Sequence, residues 1–226
     1  MTDDPELSGR ATPAAGARRA RLAALAGLAA AVGLAAGVGA VYVSGGLPDN
    51  SGGACPGAAA RIAAIDPVIG GAVAALQPLD RPLSLAALGF NDASGTPRTL
   101  ADFAGRTVLL NLWATWCAPC RAEMPALAAL ETDLGGADFE VVAVSVDTQS
   151  GPRLESFLEE TGATALAFRH EPTMRLFNTL KDAGLAIGMP TTLLVDREGC
   201  ALAVLHGPAE WNAPEAKRVI QAAIDA

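Results

Sequence analysis

Two cysteines three residues apart, Cys117 and Cys120, are the residues in this chain best suited to chemistry. They lie in Trp113-Ala114-Thr115-Trp116-Cys117-Ala118-Pro119-Cys120-Arg121, after the apolar, β-branched run Thr107 to Leu112 and before a helical pattern from Arg121 to Leu130. A buried strand thus gives way to a helix at the first cysteine. Its sulfur would face unpaired backbone N–H groups and the positive end of the helix dipole, both of which favour thiolate over thiol. Cys117 is the expected nucleophile. Cys120, one turn along the same face, is placed to attack a mixed disulfide formed by Cys117 and release the partner reduced. Zinc half-sites share this spacing, but zinc needs a second ligand pair. Cys55, Cys200, His170 and His206 are each isolated in sequence. Thiol–disulfide exchange is the chemistry that the pattern supports best.

At 226 residues the chain has room for one domain and a tail. Residues 1–21 carry Arg10, Arg18, Arg19 and Arg21 against three acids, and residues 22–43 then run without a charge. A helix of that length covers roughly 33 Å at about 1.5 Å per residue, enough to cross a hydrocarbon core of about 30 Å. A single N-terminal transmembrane helix is therefore expected at 22–43. The competing reading is a cleaved signal peptide, for which Val38-Gly39-Ala40 offers small residues. The run is longer than a signal core and ends beside Tyr42, a residue favoured at membrane interfaces. The arginines put the 1–21 tail in the cytoplasm and everything after Ser44 outside it. Residues 44–57, rich in Gly, Ser and Pro, form a linker, and 58–226 form the exported domain.

Outside the cytoplasm an even cysteine count invites pairing. With Cys117 and Cys120 assigned to exchange, Cys55 and Cys200 remain as one structural bridge; two free buried thiols are the alternative. Without residues 1–43 the chain holds 12 basic and 21 acidic residues, a net charge of −9. Such a domain has no attraction to nucleic acid, whereas a basic or copper-bearing protein partner is compatible.

The remaining elements must position the cysteine pair. Ala58 to Gln77 is helical in composition, with an interruption at Asp66-Pro67, and Leu83 to Leu100 suggests a hairpin around a turn cluster at Asn91 to Gly95. Phe139 to Val146 is a second buried strand, Pro152 to Thr161 is helical, Ala165 to Phe168 a short strand, and Met174 to Asp182 helical again. Thr191 to Asp196 and Ala201 to Leu205 flank Arg197 to Cys200 as a closing hairpin. Asn212 is a candidate cap for a last helix from Ala213 to Ala226. The alternation predicts an α/β sandwich around a mixed central sheet.

Trp-Cys-Ala-Pro-Cys-Arg after a buried strand, Pro125 five residues past Cys120, and Gly188-Met189-Pro190-Thr191 before another strand together resemble the thioredoxin superfamily. The N-terminal helix and hairpin extension, Asp102-Phe103-Ala104-Gly105, and the central insertion that puts Pro190 73 residues after Cys117 resemble its membrane-anchored, periplasmic TlpA/ResA branch. That resemblance implies a thioredoxin-like periplasmic domain, single-pass in the bacterial inner membrane, with a bond between the two extra cysteines. It implies a thiol:disulfide interchange enzyme acting as a dithiol reductant, with no cofactor or metal. The implied partners are the copper-site cysteines of a Sco-type chaperone and cytochrome oxidase subunit II, with a membrane thiol transporter as electron donor. A reductant of apocytochrome thiols in cytochrome c maturation and a non-catalytic copper-binding module are alternatives. A peroxiredoxin would need a lone peroxidatic cysteine in its own proline and threonine setting.

By the same resemblance Pro190 is the cis proline that lies against the active-site sulfurs, its missing N–H leaving that surface open to a partner's backbone. A plain loop proline at a strand start is the alternative. Trp116 and Met189 would line the partner surface around Cys117, with packing the competing role for Trp116; Trp113 and Trp211 are expected to pack, and His170 and His206 to be structural. Asn111 stands where ordinary thioredoxins have a buried aspartate. Asn cannot ionise, so Glu123, three residues beyond Cys120 on its helical face, is the nearest carboxylate for moving the Cys120 proton. A solvent-facing Glu favoured only by the helix dipole is the competing reading. Ala118-Pro119 is one step from the Gly-Pro of reducing thioredoxins, which favours a reductant.

Overall fold

The computed structural model describes residues 55–149 and 152–226. The tail at 1–21, the span expected at 22–43 and nearly all of the 44–57 linker lie outside the described residues. Among the described residues no helix is long and apolar enough to cross a membrane.

Seven consecutive buried residues make the central strand, β4 (Thr107–Trp113). A strand apolar on both faces is stable only with neighbours on both edges and cover above and below. Its edges are taken by β5 (Phe139–Ser145), parallel, and β7 (Thr191–Val195), antiparallel. The parallel pair needs a crossover, which α2 (Ala118–Leu134) supplies. β8 (Cys200–His206) returns antiparallel to β7, and the hairpin of β2 (Gly89–Asp92) and β3 (Pro97–Thr99) joins the opposite edge through β6 (Arg169–His170). With β1 (Gln77–Ser84) the mixed sheet has, among the described residues, eight strands in the order β1-β8-β7-β4-β5-β6-β2-β3. α1 (Ala58–Ile65), α3 (Pro152–Glu160), α4 (Arg175–Asp182) and α5 (Pro214–Asp225) complete the α/β arrangement.

Four expectations change in detail. The helical stretch ends at Ile65, and after two short 3₁₀ turns Gln77 to Ser84 becomes an unforeseen strand. Pro78 and Pro82 disguise it; an edge strand tolerates both, because one side of its ladder is unpaired. The short strand sought at 165–168 forms instead at Arg169–His170, where the Arg169 guanidinium is held by Glu140. Cys200 is not in the turn but is the first residue of β8. Asn212 does not cap the last helix: Ala213 takes that position with extended φ, ψ of −65° and 151° and no side-chain cap. Proline at the following residue disfavours helical geometry before it and is itself suited to the first helical turn.

Cys55 and Cys200 are bonded, with their Cα atoms 5.7 Å apart across 145 residues of sequence. Beside that bridge, Arg61 of α1 donates to Asp196 at 2.9 Å and also meets Glu198. Asp196 is fully buried and receives the backbone N–H groups of Glu198 and Cys200, so one carboxylate organises the β7–β8 turn and anchors α1 to it. Gly199 in that turn has φ of 81°, and a Cβ there would stand 3.2 Å from the Ala86 Cβ. Closing so long a loop restricts the unfolded chain by at most about 5 kcal/mol in the chain-entropy model. The Cys55→Ser, Cys200→Ser double variant should therefore lose about 2–5 kcal/mol in reversible urea unfolding, and amides of α1 should exchange with solvent before those of β4.

Candidate active site

Cys117 occupies the N-cap of α2 with φ, ψ of −88° and 100°, and its Sγ accepts the Cys120 backbone N–H at 3.2 Å. The residue that must be non-helical for the helix to start is thus the one whose sulfur receives an orphan amide of the first turn. Pro119 lies in that turn, where its missing N–H costs nothing. Cys117 and Cys120 are joined as a disulfide with Cα atoms 5.3 Å apart. Cys120 is completely buried and Cys117 is 5% exposed, so an attacking group meets Cys117 first. Trp116 beside it is 68% exposed. A side chain with that much free surface is not explained by packing.

The loop before Cys117 is held by residues that the sequence did not single out. Asp147, just past β5, accepts the Thr115 backbone N–H at 2.8 Å and hydroxyl at 3.0 Å, and the Ser145 hydroxyl at 2.9 Å. The His170 ring donates through Nε2 to the Asp147 carbonyl at 2.6 Å, which gives that buried histidine its structural part. Trp113 is buried as expected and stacks on Phe157 with ring centroids 4.6 Å apart, and the Arg121 guanidinium covers the Phe157 ring at 4.5 Å. The signal for Asp147 was Ser-x-Asp at the end of a buried strand, a place where a polar residue needs a reason.

Pro190 is buried and follows a cis peptide bond from Met189. Pairing of Thr191 with Leu112 sets it at the end of the sheet from which β4 leads to Cys117. Its carbonyl accepts the Gly207 N–H at 2.9 Å, and the Thr191 hydroxyl closes the loop onto the Gly188 carbonyl at 2.7 Å. Met189 is half-buried, while Ile187, two residues earlier, is 78% exposed.

Glu123 is 2% exposed, which removes the solvent-facing reading. Its Oε1 accepts Asn111 Nδ2–H at 2.8 Å, and its Oε2 accepts the Ala209 N–H and the Trp211 indole N–H, each at 3.3 Å. Asn111 Nδ2 also donates to Thr192 Oγ1 at 2.9 Å. Trp211 therefore does more than pack. Burial pushes the Glu123 carboxyl up to about 7, against the opposing pull of the three donors. A carboxyl that takes up and loses a proton near neutrality, one helical turn beyond Cys120, suits transfer of a thiol proton. Among the described residues no group of three His, Cys, Asp or Glu side chains could hold a metal ion.

Residues 83–202 match the AhpC/TSA family. The chain belongs to that family. Over 121 residues it is 32% identical to the thiol-disulfide oxidoreductase ResA of Geobacillus kaustophilus, a match covering 51% of this chain and 63% of that protein. It is 36% identical over 114 residues to the thiol:disulfide interchange protein HelX of Rhodobacter capsulatus, covering 50% and 59% respectively. A solved structure from Chlorobium tepidum, assigned as a DsbE thiol:disulfide interchange protein, superimposes with a TM-score of 0.55 at 29% identity, over 65% of this chain and 99% of that one. The chain spans less than two thirds of the length of the curated relatives it matches. These likenesses establish a thioredoxin-like α/β fold and agree with the TlpA/ResA branch.

Two outcomes follow from the geometry. Between about pH 5 and 7 the folded protein keeps a proton on Glu123 that the unfolded chain has released, so stability is greatest below the unfolded value and declines as pH rises through about 7. The decline should approach about 3 kcal/mol in urea unfolding of the disulfide form, and Glu123→Gln should remove most of it. Half-buried Glu131 is also raised, chiefly by burial, and supplies a residual slope of the same sign. Asp147→Ala should cost about 2–4 kcal/mol by leaving the Thr115 and Ser145 donors without an acceptor; a loss below about 0.5 kcal/mol would show that the clamp carries no energy.

Proposed function

We propose that this chain is a thiol:disulfide oxidoreductase that reduces partner proteins in the bacterial periplasm, held at the inner membrane by residues 22–43. The observation that carries the reading is the Cys117 sulfur at the start of α2, receiving the Cys120 N–H, with Cys120 buried behind it. In the dithiol form the Cys117 thiolate attacks a partner disulfide, forming one S–S bond and releasing one partner thiolate. Cys120 then passes its proton to Glu123 and attacks Cys117 Sγ; the partner leaves with both sulfurs reduced, and the enzyme retains the disulfide. Glu123 returns the proton toward the departing thiolate. The two electrons are replaced by a membrane thiol transporter.

The names of the related proteins, thiol-disulfide oxidoreductase and thiol:disulfide interchange protein, support the reaction class. The Cys55–Cys200 bridge supports an oxidising compartment, since such bonds persist outside the cytoplasm. Exposed Trp116 and half-buried Met189 suit a surface crossed by a partner chain. Pro190, at the same end of the sheet, is assigned the position beside the sulfurs that cannot donate to a partner's backbone. For the substrate, the sequence resemblance favours the copper-site dithiols of a Sco-type chaperone and cytochrome oxidase subunit II.

Mixing reduced protein with oxidised copper-site dithiol proteins should regenerate their thiols, Cys117→Ser should abolish the reaction, and Cys120→Ser should accumulate a mixed disulfide visible by mass spectrometry. Faster exchange with apocytochrome disulfides would reassign the substrate. A reduction potential near that of a strong oxidant, about −120 mV, would reverse the direction of electron flow.

A further inference from the structure

Among the described residues every hydrogen-bond partner of Glu123 is a donor: the Asn111 amide on Oε1, and the Ala209 backbone and Trp211 indole on Oε2. That shell suits a carboxylate. The acid form carries one O–H, which needs an acceptor. On Oε2 the new proton would meet a main-chain N–H and the N–H of a fully buried indole, neither of which can become an acceptor. The proton therefore belongs on Oε1, facing Asn111. Asn111 is completely buried, and among the described residues its carbonyl Oδ1 has no hydrogen-bond partner. The cluster thus holds one unused acceptor, on the same side chain that donates to Oε1.

Turning the amide half a revolution about its last torsion exchanges oxygen and nitrogen with almost no change of shape. Oδ1 would then accept from the Glu123 O–H and from the Thr192 hydroxyl, which can donate as readily as it accepts. Among the described residues the far edge of the amide now holds an acceptor without a partner and would hold the two N–H donors after the turn, a cost set against the two hydrogen bonds that Oδ1 would then accept. An aliphatic residue at 111 would leave the carboxylate with two contacts of 3.3 Å, and an aspartate would set a second acid against it. Asn provides for both charge states.

We propose that Asn111 is a positioning residue whose amide turns over each time Glu123 gains or loses a proton, keeping the buried carboxyl hydrogen-bonded throughout a catalytic cycle. This rests on the proton-handling role proposed above. Among the described residues the groups hydrogen-bonded to Glu123 are Asn111 from β4 and the Ala209 and Trp211 N–H groups from the segment after β8, with Thr192 of β7 bonded to Asn111 in turn; Cys120 precedes Glu123 by one helical turn on α2. Among the described residues no charged side chain forms an ion pair or hydrogen bond with Glu123.

NMR of the full chain, with ¹⁵N in asparagine side chains and ¹³C in glutamate carboxyls, tests the switch in both dithiol and disulfide forms. The Asn111 NH₂ cross-peaks should move with the same midpoint as the Glu123 carboxyl and become pH-independent in Glu123→Gln. Asn111→Leu, which removes the donor to the carboxylate, should move the Glu123 midpoint and the pH profile of disulfide exchange upward together by about one pH unit. Asn111 cross-peaks that stay flat while the Glu123 carboxyl titrates would overturn the switch and leave the role of Glu123 standing. A Glu123 carboxyl with no titration between pH 5 and 9 would overturn that role itself.

Discussion

An unpaired amide at the start of a helix, directed at a sulfur atom, is the interaction around which this domain is built. The Cys120 N–H reaches Cys117 Sγ only because residue 117 is extended and residue 118 is helical. That junction is placed by a strand that can sit nowhere but the middle of the sheet, since all seven residues of β4 are buried. Asp147 then fixes the short loop between them through the Thr115 N–H and hydroxyl, and is itself held by the Ser145 hydroxyl of β5. The proposed exchange chemistry needs a sulfur that is both stabilised as an anion and approachable, and these constraints provide the two conditions from opposite sides. The helix amide and dipole supply the first; the exposure that Cys117 keeps, and Cys120 lacks, beside exposed Trp116 supplies the second.

Behind the sulfurs the chain buries a carboxyl among donors. Asn111 comes from β4, Glu123 from α2, Thr192 from β7, and Ala209 and Trp211 from the segment entering α5. Four parts of the sequence therefore converge on one ionisable group. Desolvation outweighs the hydrogen bonds and lifts its proton affinity to about neutrality, where a carboxyl can exchange a proton with a thiol in either direction. Its burial lowers stability above neutral pH. Tuned proton donors commonly carry such a penalty, because the environment that shifts them favours the uncharged form.

Far from the sulfurs, α1 is fastened to the β7–β8 turn by the Cys55–Cys200 bond and by the Arg61–Asp196 pair. β1 continues from that region and covers the edge of β8. The domain thereby protects one side of its sheet with prolines and a covalent tie, a defence against edge pairing that does not depend on a large apolar surface.

Local physics determined much of this protein directly from the order of its residues. Thr107 to Leu112 read as a buried strand, the Cys-x-x-Cys spacing put both sulfurs on one face of a helix start, and Asn111 and Glu123 stood out as a neutral residue and an acid near the two cysteines. These conclusions depend on contacts within a few residues, where periodicity and capping rules act. Tertiary structure decided what depends on distance. Whether Glu123 faced water or the interior was set by Asn111, 12 residues before it, and by Ala209 and Trp211, more than 80 residues after it. The roles of Asp147, His170 and Trp211, and the conversion of a proline-rich stretch into β1, likewise came from partners remote in sequence. Periodicity records which side of an element is apolar; only the assembled fold determines which polar group is shut inside with it, and so which group must change its affinity for a proton.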